Sequence, residues 1–206
     1  MTRPSLDEVR QYHLRQLNSA LRRPSMYGPE VTLRILLDAM AFVDGLDEAV
    51  RDETEALRAR QAFTSLGVRG GFLTALPGYQ DHLGAVASVY AEIAWRYDWL
   101  VVDRLIPGEV HERLHTQAVE WCAQDRRLDD VLSELGPPSV LCGGSNPHYS
   151  KTLVYASDAD PGLVSLHFSG SFDEPQPILY ALRYGDGPFP ESFVFTPFGR
   201  SQGAEG

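Results

Sequence analysis

Cysteine, lysine and long apolar runs are all scarce in this 206-residue chain. Two cysteines, Cys122 and Cys142, cannot build a disulfide framework, and they point to a reduced, cytoplasmic protein. No apolar stretch approaches the ~20 residues that a membrane helix needs. The opening MTRPSLDEVR lacks the apolar core of a secretory signal, so export is not expected. A basic surplus is absent as well. Lysine and arginine number 18 against 28 aspartates and glutamates, a formal net charge of −10, and Lys151 is the only lysine. That balance excludes a general nucleic-acid binder, because phosphate attraction requires a basic surface. With 43% hydrophobic and 22% charged residues, the composition is that of a folded domain, not of a disordered chain.

The acidity is uneven. Residues 1–60 carry a net −1 and residues 61–206 a net −9, so a basic partner would be drawn to the last two thirds. The hydrophobic pattern also divides the chain, at Pro138. Before it the period is helical. Ser5 and Glu8 form a capping-box signature ahead of Val9, Leu14, Leu17, Ala20 and Leu21. Pro24 stops that helix. Gly28-Pro29 opens a second, whose apolar side is Leu33, Leu36, Leu37, Met40 and Phe42. Residues 47–60 are polar but helix-prone, and residues 64–78, with Gly67, Gly70, Gly71, Pro77 and Gly78, read as a long loop. Leu83, Val86, Tyr90, Ile93, Ala94 and Tyr97 give a further amphipathic stripe, followed by helices near 108–124 and 127–135.

Beyond Pro138 the period becomes two. Short β-rich runs stand at 139–142, 151–157, 163–169, 177–184 and 192–196, with turn residues between them. In the third run Val164, Leu166 and Phe168 share one face, while Ser165 and His167 share the other. The expectation is one α+β domain over 1–198, helical over 5–136 and β-rich over 139–196. Its N-terminal helices pack on one side of a mostly antiparallel C-terminal sheet. The small, polar residues 199–206 read as a disordered tail.

Four segments are candidates for chemistry. His111-Glu112-Arg113-Leu114-His115 satisfies H-E-x-x-H, in which two imidazoles one helical turn apart can chelate zinc while the glutamate serves as general base. Over these five residues the chain resembles the zincin metalloproteases. That resemblance implies a zinc-dependent hydrolase with His111 and His115 as ligands and Glu112 as catalytic base. Against it stand the charged Arg113 inside the motif and the lack of an obvious third ligand, for which Asp129, Asp130 or Glu134 on the next helix are the candidates. The leading expectation is therefore a metal-free protein without a cofactor.

Residues 142–152 end in Lys151-Thr152 like a phosphate-binding loop, but serines stand at 145 and 150 where glycines are needed, and a β-rich run comes next. The loop reads instead as a recognition surface with Asn146, His148 and Tyr149 as its contacts. Arg23-Pro24-Ser25-Met26-Tyr27 resembles a segment of the type II topoisomerase ATPase subunit. No Asn-x-x-x-Asp signature comes after it, and it reads as helix-stop chemistry. Lastly, Cys142 beside Gly143-Gly144 has nothing in sequence to lower its pKa, and reads as a buried structural thiol.

Residues 132–141, a helix ended by Gly-Pro-Pro before a strand, and Tyr155-Ala156-Ser157-Asp158 resemble segments of small α+β immunity proteins of actinobacterial toxin systems. The resemblance implies a cytoplasmic inhibitor that binds a basic protein partner, a toxin, through an acidic surface. Asp129 and Asp130 are placed with Asn146, His148 and Tyr149 as its binding residues.

Overall fold

The computed structural model describes residues 3–76, 78–79, 83–160 and 162–203. Its helices are α1 (Leu6–Arg22), α2 (Pro24–Tyr27), α3 (Glu30–Asp44), α4 (Asp47–Ala59), α5 (Val68–Ala75), α6 (Leu83–Arg96), α7 (Gly108–Thr116), α8 (Ala118–Trp121), α9 (Leu128–Leu135) and α10 (Pro197–Gly203). The strands are β1 (Val140–Cys142), β2 (Lys151–Ala156), β3 (Leu163–Ser169), β4 (Ile178–Arg183) and β5 (Phe193–Phe195). They form one antiparallel sheet in the order β1-β2-β3-β4-β5. The fold is α+β, helices first and sheet after, with every strand inside its expected run. No helix among the described residues is long and apolar enough to cross a membrane.

The capping box forms as the Ser5–Glu8 spacing predicts: the Glu8 amide donates to Ser5 Oγ at 3.2 Å, and the Ser5 amide donates to Glu8 Oε2 at 2.7 Å. Leu17, Ala20 and Leu21 of α1 then bury against Leu33, Leu37 and Met40 of α3 and the length of α6. Phe42, counted on that apolar side, is exposed instead.

The sheet is covered on both faces, not one. Val140, Cys142, Val154, Ala156 and Leu163 pack under α1, α3 and α6. Leu153, Tyr155, Val164, Leu166 and Phe168 pack under α7, α8 and α9. The face of β3 that carries Ser165 and His167 is therefore buried like its opposite, and β2 is buried at all six positions. Alternation of polar and apolar residues could not reveal this, because small hydroxyl and imidazole side chains fill space as well as methyls do once they are hydrogen-bonded.

Residues 64–78 contain α5 and are not a plain loop. Glycine is used here for close approach: a Cβ on Gly70 would lie 1.9 Å from Thr64 Oγ1, and one on Gly71 would lie 2.5 Å from the Ala62 carbonyl oxygen. The Glu30 carboxylate caps the free amides of the helix, accepting from Val68 N at 2.7 Å and Arg69 N at 2.9 Å.

The expected disordered tail is helical as far as Gly203, and 204–206 lie outside the described residues. Its anchor is a bulge in β4. Leu179 pairs with Phe168 and Ala181 with His167, leaving Tyr180 as the extra residue. The Tyr180 carbonyl accepts from the Thr196 amide at 3.2 Å, and Gly199 passes directly beneath it. A Cβ at Gly199 would lie 2.1 Å from that oxygen. Gly199→Ala is thus expected to lift α10 off the sheet. The loss would be about 1–3 kcal/mol, the range for overpacking a filled site. Thermal denaturation and limited proteolysis near 197–203 check it, and a wild-type digestion pattern would contradict the account.

Candidate functional site

The antiparallel order gives the sheet two ends, and the candidate residues divide between them. The connections 143–150 and 170–177 meet at the first end. There Lys151, buried at the start of β2, donates from Nζ to the Asn146 carbonyl oxygen at 2.7 Å, and burial lowers its pKa. Asn146 Oδ1 accepts from the His148 amide at 2.9 Å. The His148 ring stacks on Phe172 with centroids 5.3 Å apart, and Tyr149 meets the same ring edge-on at 5.9 Å. Ser150 Oγ accepts from Gly170 N, which ties the two connections together. Asn146 therefore shapes the loop, while Tyr149 and Phe172, 51% and 74% exposed, present the aromatic surface. A groove of about 440 Å³ runs beside them between Pro24, Leu83, Gly143 and Tyr149. The loop runs directly into β2, so it lacks the following helix that a phosphate-binding loop requires.

Asp129 and Asp130 lie at the same end, in the first turn of α9. Asp129 Oδ2 accepts from Gln176 Nε2, and Asp130 Oδ2 accepts from the Arg127 amide. Arg127 also pairs with Glu174 at 2.9 Å. Asp129 and Arg127 bind α9 to the 170–177 connection, which carries Phe172, while Asp130 caps the helix itself. His148, Tyr149 and Asp129 contact that connection, whereas Asn146 and Asp130 bond within their own segments. Phe172 escapes a reading of the sequence; its signal is a lone aromatic among small and acidic residues in Ser171-Phe172-Asp173-Glu174.

At the other end, α7 lies against the connection between β2 and β3. His111 and His115 stand one turn apart with ring centroids 4.9 Å apart, and His115 lies against Tyr184 at 4.7 Å. Asp160 of the β2–β3 connection completes a cluster in which one atom from each residue lies within 4.8 Å of the others. Asp160 Oδ1 accepts from Gly162 N at 2.7 Å, and its Oδ2 is 4.0 Å from His111 Nδ1. His111 is fully buried, yet neither of its ring nitrogens makes a hydrogen bond of good geometry, although the Gly162 backbone lies close to the ring, and His115 Nε2 likewise makes none. An unpaired buried polar atom costs about 1–3 kcal/mol. Desolvation, followed by the neighbouring His115, lowers the His111 pKa, opposed by Asp160 and the Gly162 backbone. His111 is thus favoured in its neutral form, the form that ligates metals.

A cleft of about 180 Å³ opens beside His115 and Asp160, with Glu92, Arg96 and Asp186 on its walls. Glu92 is paired with the buried Arg183 at 2.6 Å, and Asp186 with Arg60 and Arg96. Asp160 is the one carboxylate of the cleft with no arginine partner among the described residues.

Two expectations about the motif need correction. The third potential ligand, a carboxylate, comes from the β2–β3 connection and not from α9, where Glu134 accepts from Trp121 Nε1 and from Arg126, each at 2.9 Å. Arg113 reaches outward to that same Glu134, so it does not obstruct the histidines. Glu112 is exposed and belongs neither to the cluster nor to the cleft wall. The arrangement can hold a cation, but Glu112 is not placed to act on it. Neither cysteine offers a nucleophile: burial pushes Cys122 up to about 11 and Cys142 up to about 12.

Compared with protein-family models, with curated proteins and with solved structures, the chain matches none.

Proposed function

We propose that the chain is a binding protein of the inhibitor type, a cytoplasmic immunity protein whose partner is a basic protein, the toxin of a bacterial toxin system. The observation that carries this reading is the cluster of the half-buried His148 with the exposed Tyr149 and Phe172, bordered by Asp173 and Glu174. Rigidly held aromatics are the usual anchors of a protein interface. Carboxylates around them would steer a basic protein, and the net −9 over residues 61–206 acts in the same sense at longer range. The resemblance of residues 132–141 and 155–158 to immunity-protein segments supports the same class. The alternative, a zinc-dependent hydrolase, needs Glu112 as its base, and the exposure of that side chain makes it the weaker reading.

Binding kinetics against proteins encoded beside this gene test the proposal. Raising salt to ~0.5 M should cut the association rate about tenfold or more and leave dissociation nearly unchanged. Phe172→Ala should speed dissociation by at least about tenfold, the weight of an interface anchor. Charge reversal at Asp129 and Asp130 should act on association instead. Salt-independent association, or no binding by any neighbouring product, would remove the proposal.

A further inference from the structure

We infer that His111, His115 and Asp160 form a site for a divalent transition metal, with zinc as the reference ion. The inference is independent of the inhibitor reading, since the cluster sits at the opposite end of the sheet. It rests first on His111, whose buried ring makes a well-formed hydrogen bond at neither nitrogen, with only the Gly162 backbone and Asp160 near it. A neutral imidazole carries one N–H and one lone pair. Burial without a partner for the lone pair is unfavourable unless something else accepts it, and a metal ion does so.

Geometry is the second support. A tetrahedral zinc with bonds near 2.0–2.2 Å spaces its ligand atoms ~3.3–3.5 Å apart. The three ligand atoms lie within 4.8 Å of one another, and the His111–Asp160 separation is 4.0 Å. Closure needs movements of about 1 Å, and Asp160 can supply them because its side chain is 42% exposed on a turn. Charge is the third. Glu92 and Asp186 are already neutralised by arginines, which leaves the Asp160 carboxylate as the available anion. The fourth position would face the cleft and take water.

Two imidazoles with one carboxylate favour zinc and its neighbours over magnesium or calcium, which prefer all-oxygen sites. Untagged full-length protein, stripped with a chelator, should take up one Zn²⁺ or Co²⁺ per chain. The Co²⁺ form should show visible d–d absorption, and Zn²⁺ should raise the thermal midpoint by several degrees while equal Mg²⁺ or Ca²⁺ does not. Asp160→Asn and His115→Ala should each weaken uptake by at least the ~10–100-fold known for loss of a mere outer-shell partner. Glu112→Gln should bind as the parent does. Absence of stoichiometric uptake, or uptake unaltered in the His115→Ala/Asp160→Asn double variant, overturns the assignment. So does an equal response to Mg²⁺, or a loss in Glu112→Gln as large as that in Asp160→Asn.

Discussion

Arg183→Met is expected to lower stability by about 3–5 kcal/mol, the range for removing one partner of a buried ion pair. Arg183 ends β4 with its side chain fully buried, pairs with Glu92 at 2.6 Å, donates to Ser88 Oγ at 3.1 Å, and lies over the Phe189 ring. Methionine fills the space but leaves the mostly buried Glu92 carboxylate without its cation. In a chain of this size the loss corresponds to a Tm lower by roughly 6–20 °C. The double variant Arg183→Met/Glu92→Leu should recover most of it, because an apolar pair of similar volume is often as stable as the ion pair it replaces. Urea denaturation of both variants at an unchanged slope checks the coupling. A loss below about 1 kcal/mol in the single variant would mean that water in the cleft already hydrates Glu92.

The sheet was legible because strands announce themselves locally. Each β-rich run from 139 onward is bounded by turn residues, and β3 matches its run at both ends. What could not be read was the burial of both faces. Ser165 is polar in sequence, but it sits opposite Arg183 in the ladder, under Ser88 of α6. The pairing register brings Ser165 and Arg183 together, and the packing of α6 on the sheet adds Ser88. The β4 bulge was hidden for the same reason: it lets Leu179 and Leu182, three apart, face one core, which a strict period of two forbids.

The two candidate sites differ in the same way. The His111–His115 pair is visible because four residues make one helical turn. Its carboxylate partner, Asp160, lies 45 positions beyond His115, in a turn that sequence marks only as a turn. Helix α9 supplies no third ligand because Trp121, Arg126 and Arg113 all converge on Glu134. The aromatic end of the sheet shows the same limit. His148 and Tyr149 stand out inside a glycine-rich loop, whereas Phe172, which contacts both, belongs to a different connection 23 residues after Tyr149.

Phe72→Ala tests the sharpest disagreement between sequence pattern and structure, the segment that reads as loop and folds as α5. Phe72 is fully buried, edge-on to His167 at 5.5 Å, to Phe189 at 5.1 Å and to Phe193 at 5.9 Å. It joins α5 to β3, to the 3-10 turn Phe189–Ser192 and to β5. Truncation should therefore cost about 3–5 kcal/mol, a large share of the stability of any domain. Phe72→Leu, which keeps most of the volume, should cost below about 1.5 kcal/mol. Hydrogen exchange in the parent should show amides of 72–75 protected nearly as well as those of β3, because opening α5 uncovers the sheet. If the segment were the loop its glycines suggest, Phe72→Ala would change stability by less than about 1 kcal/mol and those amides would exchange freely.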